Sequence, residues 1–177
     1  KEKYIFKLPV IAMCKIYDRE FLVKNSIYFQ TTKTGEDQIF HIKAILLADK
    51  IFILDKNLYG YRKRRKGSLT SSKKKKDNSV IYNFYAIKDF LQNTDYPIGF
   101  NNKVLNKYFI KSVSWLGKCA DDYRKIYFQD LQKLCEFVSK NYPQLYNHEI
   151  EFSQNDTYWI LKIKLGLIKL KKEFFKN

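Results

Sequence analysis

Apolar and polar positions along the chain follow two different rhythms. Up to about residue 72 the apolar runs are short and change period often. Leu8 to Cys14, with Val10 and Ile11 inside it, has the look of a buried strand. Asp18 opens a short helical turn that runs through Lys24. Thr34 is placed to cap a helix from Gly35 to about Ala48, in which Ile39, Ile42, Ile45 and Leu46 recur at helical spacing and predict one buried face. Lys50 to Leu54 reads as a short β-branched strand, and Leu58 to Arg62, with Tyr59 and Tyr61 alternating, as a second. Strands flanking helices predict an incomplete α/β layer.

From Ser79 onward the rhythm is helical. Val80, Phe84, Ile87 and Leu91 mark one helix, and Val104, Tyr108, Ile110, Val113 and Trp115 a second. Tyr127, Leu131, Leu134, Phe137 and Val138 mark a third, a turn follows at Pro143, and a last helix runs from about Asp156 to Phe175. Residues 67–78 are polar, lysine-rich and rich in small side chains, and read as a loop. The expected organisation is therefore an α/β unit over 1–72, a basic linker over 73–78 and a helical extension over 79–177, helix-dominated overall.

Charge changes the picture more than composition does. The chain carries 34 Lys and Arg against 18 Asp and Glu, a formal charge of +16. Such an excess calls for an anionic partner: phosphate groups, a nucleotide, nucleic acid or an anionic membrane. Nine of the basic residues, Arg62 to Lys66 and Lys73 to Lys76, fall in one acid-free span, so the excess is partly local. That span lacks interleaved aromatics for base stacking, and no helix-turn-helix or finger signature accompanies it, so specific nucleic-acid binding is not expected. The three cysteines, Cys14, Cys119 and Cys135, are widely spaced with no Cys-x-x-Cys pair. They read as reduced thiols of a cytosolic protein rather than a zinc site. The longest apolar region, Ile39 to Leu54, is interrupted by Lys43, Asp49 and Lys50 and does not predict a membrane span. The chain starts at Lys1, without Met and inside apolar sequence, which reads as a piece of a longer protein.

Three features occur in a fixed order between Cys14 and Ser68. A Lys15-x-Tyr17 precedes an Arg-Glu-Phe-Leu turn, Glu36-Asp37 stands at a helix start, and Leu58-Tyr59-x-Tyr61-Arg62 leads into a basic tail that ends at Ser68. Together they resemble the C-terminal half of the catalytic domain of bacterial family 2 inverting glycosyltransferases, over roughly residues 8 to 72. The resemblance implies the second half of a GT-A-like domain and transfer of a sugar from a nucleotide-sugar donor to a glycan or lipid-linked acceptor, as in capsule or lipopolysaccharide synthesis. It implies Asp37 as the general base that takes the acceptor's proton, with Glu36 orienting the site. It places Arg62, Arg65 and Ser68 near the donor diphosphate, and Lys15 and Tyr61 among the diphosphate or acceptor contacts. A divalent metal, Mg or Mn, is implied for the full-length enzyme, bound mainly by a preceding half. This chain has no Asp-x-Asp to bind one, and Gly60 stands where many relatives carry a His.

Several residues have plainer readings. Glu36 and Asp37 suit any helix first turn. His41 shares the helix face of Asp37 and reads as a polar edge residue. The basic run suits a solvated loop. In the last helix, Lys162, Lys169, Lys172 and Lys176 lie opposite a stripe of Ile160, Ile163, Leu167, Leu170 and Phe174, which suits an anionic membrane surface, a partner chain in a homo-oligomer, or the preceding helices. The expected location is the bacterial cytoplasm, peripheral at the inner membrane, and the abundant Lys, Asn, Ile, Tyr and Phe suggest an AT-rich genome. The reading from another class is a non-catalytic, basic helical module for nucleic acid or anionic membrane.

Overall fold

The computed structural model describes residues 1–57, 59–60, 62 and 77–145. Among the described residues six α-helices occur in the order α1 (Glu2–Lys7), α2 (Arg19–Lys24), α3 (Asp37–Leu47), α4 (Ser79–Gln92), α5 (Ile98–Trp115) and α6 (Asp121–Asn141). Short 3-10 turns occur at Ala12–Cys14, Leu116–Lys118 and Pro143–Leu145. The last matches the turn expected at Pro143. The expected helix over 156–175, and Lys162, Lys169, Lys172 and Lys176 with it, lies outside the described residues.

No β-strand is present among the described residues, which corrects the expected α/β, GT-A-like half. Leu8 to Cys14 has no regular structure until the 3-10 turn at Ala12–Cys14. Residues 51–54 belong to no helix or strand, and Phe52, Ile53 and Leu54 are 87%, 61% and 59% exposed. In Leu58 to Arg62 the residues described are likewise irregular. The physical reason is that β-propensity reports fit to a paired, half-buried surface, and among the described residues these segments have no neighbouring strand to complete a ladder. The helix-dominated character overall is as expected.

One hydrophobic core joins helices from both sides of the basic linker. Ile5 of α1 and Ile39, Ile42, Ile45 and Leu46 of α3 pack in the same cluster as Phe84 and Ile87 of α4, Val104 and Tyr108 of α5, and Leu131 and Leu134 of α6. The apolar stripes read from the helical spacing supply most of this core. The departure is α3: it is buried nearly all round, including Gln38, Phe40 and His41, with only Lys43 and Leu47 left half-exposed in its interior and end. A helix apolar on most sides belongs at a centre rather than on a surface.

Local chemistry explains the helix ends. Asp18 caps α2, its carboxylate accepting the Phe21 N–H at 2.9 Å. Thr34 does not cap α3. Gly35 takes the left-handed region at φ +70°, which turns the chain so that Glu36 becomes the N-cap. The Thr34 hydroxyl is thereby freed to donate to Asp77 at 2.9 Å, while Asp77 also accepts the Ser79 N–H at 3.0 Å. The Asn83 amide donates to the Gly35 carbonyl at 3.1 Å, tying the start of α3 to α4. At the other end, the Leu46 carbonyl accepts from Tyr96 Oη at 2.9 Å and Lys1 Nζ at 2.7 Å. These bonds satisfy a carbonyl that the helix itself cannot.

Gly35 is the residue on which this turn depends. A Cβ there would stand 2.0 Å from Nε2 of the buried Gln38 and 2.9 Å from Asn83 Nδ2. Gly35→Ala should therefore lower unfolding stability by roughly 1–3 kcal/mol, from the left-handed backbone and the crowded amides together. Urea unfolding of the two proteins reads this directly, and an unchanged midpoint would show that the turn tolerates a side chain.

Candidate functional site

The first turn of α3 carries Asp37, and the next turn carries His41 on the same side. Asp37 is half-buried. Burial and the adjacent Glu36 raise its carboxyl pKa above the ordinary value, against the opposing pull of its own backbone N–H, Lys111 and Lys15. Glu36 itself is exposed. The pair that the sequence singles out is thus asymmetric: one solvated carboxylate at the N-cap and one partly desolvated carboxylate facing cations.

Lys15 approaches from the loop before α2. Its Nζ donates to the carbonyls of Pro9 and, at 3.0 Å, Ile11. Burial lowers its pKa, and Cys14 and Asp37 oppose that shift. Tyr17, two residues on, stands edge-on to Phe40 at 5.0 Å, and Phe29 stacks on the same ring at 4.2 Å. The Tyr17 hydroxyl is buried without a hydrogen-bond partner among the described residues. Burial, then the charge of Asp37, push its pKa up to about 12, so it stays a neutral donor.

The far wall comes from α5. Lys107 and Lys111 stand one turn apart, each with its Nζ 5.8 Å from the centre of the Tyr108 ring. Lys107 also lies 5.5 Å over the Phe6 ring and donates to the Ile5 carbonyl at 3.3 Å. Burial lowers the pKa of both lysines; for Lys111 the charge of Asp37 opposes this, while Lys107 and Lys118 add to it. Tyr108 is held well above its ordinary range by burial and by Asp37. Trp115, four residues beyond Lys111, has its indole N–H buried and unpartnered among the described residues, and Lys118 lies 5.2 Å over its ring.

His41 is not the edge residue that the spacing suggests. It is 1% exposed, and neither ring nitrogen has a hydrogen-bond partner among the described residues. Burial, then the charges of Lys15 and Lys107, drop its pKa to about 4. It is a neutral imidazole beside cations.

The structure therefore brings together Asp37, Lys15 and Tyr17, and adds His41 as a buried member. Arg62 is exposed. Tyr61, Arg65 and Ser68 lie outside the described residues. Sequence reasoning missed Lys107 and Lys111 because it read α5 only as a core stripe through Val104, Tyr108 and Trp115. The available signal was the 107, 111, 115 spacing, which puts two lysines and an indole N–H along one side of the helix. Among the described residues no group of three His, Cys, Asp or Glu could hold a metal ion. The carboxylates present stand beside lysines, a donor set that does not suit a cation. Among the described residues no helix is long and apolar enough to cross a membrane. Cys14 is exposed, and Cys119 and Cys135 are buried; all three are free thiols.

Comparison with known proteins adds one relationship. The chain is 42% identical over 63 residues to poly(ribitol-phosphate) beta-N-acetylglucosaminyltransferase TarS of Staphylococcus aureus, in strains Mu50 and MW2 alike. The match covers 35% of this chain and 11% of the TarS chain. No family model and no solved structure matches. Over part of its length the chain is thus related to a glycosyltransferase.

The buried histidine makes folding sensitive to acid in a defined window. An unfolded histidine takes up its proton near pH 6.5, whereas folded His41 waits until about pH 4. The stability tied to neutral His41 is whole above pH 6.5 and is lost as the pH falls towards 4, by up to roughly 3 kcal/mol. Urea midpoints at pH 7 and pH 4.5 should drop less for His41→Gln than for the wild type. Equal drops would assign the acid sensitivity to other groups.

Proposed function

We propose that this chain is part of a bacterial inverting glycosyltransferase in which Asp37 is the general base. The donor is a nucleotide sugar. The acceptor is a surface glycan or lipid-linked chain, and the partial relationship to TarS favours a polyol-phosphate polymer. The observation that carries this reading is the setting of Asp37: a half-buried carboxylate at the start of a central, doubly tethered helix, with a raised proton affinity and cations at its side.

The chemistry asked of it is simple. The acceptor hydroxyl attacks the anomeric carbon as its proton passes to an Asp37 carboxylate oxygen. The bond from that carbon to the diphosphate oxygen breaks, and the nucleoside diphosphate leaves with the bonding electrons. A raised pKa makes Asp37 a stronger base than a solvated aspartate, and so better matched to a hydroxyl proton. Glu36 keeps that affinity up through its own negative charge. Tyr17 and Tyr108, both protonated, wall the carboxylate without competing for the proton. A Mg or Mn ion bound outside the described residues would neutralise the leaving diphosphate, and no step assigned to this chain runs through it. The work takes place in the cytoplasm at the inner membrane, where the donor is available.

In the native gene product, Asp37→Asn should lower kcat by about 10²- to 10⁴-fold while leaving the fold intact. Undiminished transfer would remove Asp37 from the role. The acid limb of the kcat/KM profile should lie above the range of an ordinary aspartate, because the carboxyl must be ionised to accept a proton. Glu36→Gln should move that limb to lower pH, since it takes away the neighbouring charge that raises the Asp37 pKa. A limb that stays in place in Glu36→Gln would show that another group sets it.

A further inference from the structure

The lysines of the site are in an unusual position. Lys107 and Lys111 stand one turn apart on α5, both against the Tyr108 ring at 5.8 Å, both partly withdrawn from water. Lys15 faces the same side of α3, and its charge acts on both Asp37 and His41. Among the described residues none of these three lysines forms an ion pair, although Lys88, Lys103 and Lys133 do. Desolvating like charges beside one another costs stability unless something of opposite sign faces them. Asp37 supplies one negative charge against the two lysines, Lys111 and Lys15, that act on it, and Lys107 adds its charge to Lys111.

The remaining polar atoms point the same way. Trp115 Nε1, a group that can only donate, is buried and unpartnered one turn beyond Lys111. The Tyr17 hydroxyl is also buried and unpartnered beside Asp37. The charges of Lys111 and Lys15 act on the Asp37 carboxylate, Lys107 and Trp115 stand one turn to either side of Lys111 along α5, and the Tyr17 hydroxyl and Trp115 indole are unused donors among the described residues. That is the donor inventory of a site for an oxyanion with several acceptor oxygens.

We propose that Lys107, Lys111 and Lys15, with the Trp115 indole, grip a phosphate group of the substrate and hold it beside Asp37. The inference rests on the glycosyltransferase reading and deepens it. The phosphate has two sources in that reading: the phosphodiester of a polyol-phosphate acceptor or the diphosphate of the donor. Lys111 is the central residue of the grip, because it lies between Lys107 and Trp115 on the helix and its charge reaches Asp37.

The test follows the Trp115 indole N–H by proton–nitrogen NMR in this 177-residue chain at about 0.15 M salt, where weak surface attraction is screened. Trp159 is the internal comparison, and Trp115→Phe assigns the signal. The probes are inorganic phosphate, a bis-glycerol phosphodiester and uridine diphosphate. The Trp115 signal should shift saturably with phosphate. Lys111→Gln should weaken that binding by about tenfold or more, the loss of one charge-assisted hydrogen bond. Lys111→Arg should retain most of it, and the exposed Lys140→Gln should match the wild type. If Lys111→Gln does not fold, Lys107→Gln in the same titration takes its place. A stronger response to the phosphodiester assigns the grip to the acceptor, and a stronger one to uridine diphosphate assigns it to the donor. No saturable shift, or equal binding by Lys111→Gln and Lys140→Gln, overturns the proposal. The two readings fail separately: phosphate binding needs no turnover, and the Asp37→Asn rate loss needs no lysine.

Discussion

The site depends on α3 being held at both ends. Its start is pinned by the left-handed turn at Gly35, whose carbonyl takes the Asn83 amide, and by Thr34 donating to Asp77. Its end is pinned where the Leu46 carbonyl takes both Tyr96 and Lys1. An eleven-residue helix is marginal by itself in water, so its order comes from packing and from these tethers. They come from elements on both sides of the basic linker. Asp37 therefore sits at a fixed point relative to α5, which is what lets a carboxylate from one part of the chain face lysines from another.

That placement explains the electrostatics. Burial raises the proton affinity of Asp37 and lowers those of Lys15, Lys107 and Lys111. Each shift makes the charged form less favourable, and Asp37 partly compensates Lys15 and Lys111 as they partly compensate it. His41 responds to the same surroundings by staying neutral. The aromatic rings of Tyr17, Phe40, Phe29 and Tyr108 form the walls, so the charged groups meet at low local polarity, where a single charge has long reach.

The helical part of this architecture was legible in the sequence because its signal is local. Val80, Phe84, Ile87 and Leu91 recur at the helical period, and all are buried. The same holds for Tyr127, Leu131, Leu134 and Val138. That the expected strands do not form among the described residues was not legible in the same sense. Phe52, Ile53 and Leu54 have strand-forming side chains, but a strand also needs a partner, and that information is not local. Thr34 illustrates a smaller failure: it is a good capping residue by type, yet the positive φ of Gly35 moved the helix start two residues on. Asp37, Lys15 and Tyr17 were singled out from motif order. Lys107 and Lys111 were not, because helical spacing alone does not say which neighbour a half-buried lysine will face.

The lysines and Asp37 are coupled, and the coupling has a direction. Lys15 and Lys111 lower the proton affinity of Asp37, which by itself weakens a base. A phosphate seated on those lysines would spend their positive charge on its own oxygens and bring negative charge close to the carboxylate. Both effects raise the proton affinity of Asp37. On this arrangement the base would be weaker in the empty site and stronger once the phosphate is in place. If Asp37 is the base proposed above, proton transfer would then be favoured when a phosphate is seated, because the same ammonium groups would hold the phosphate and set the proton affinity of Asp37.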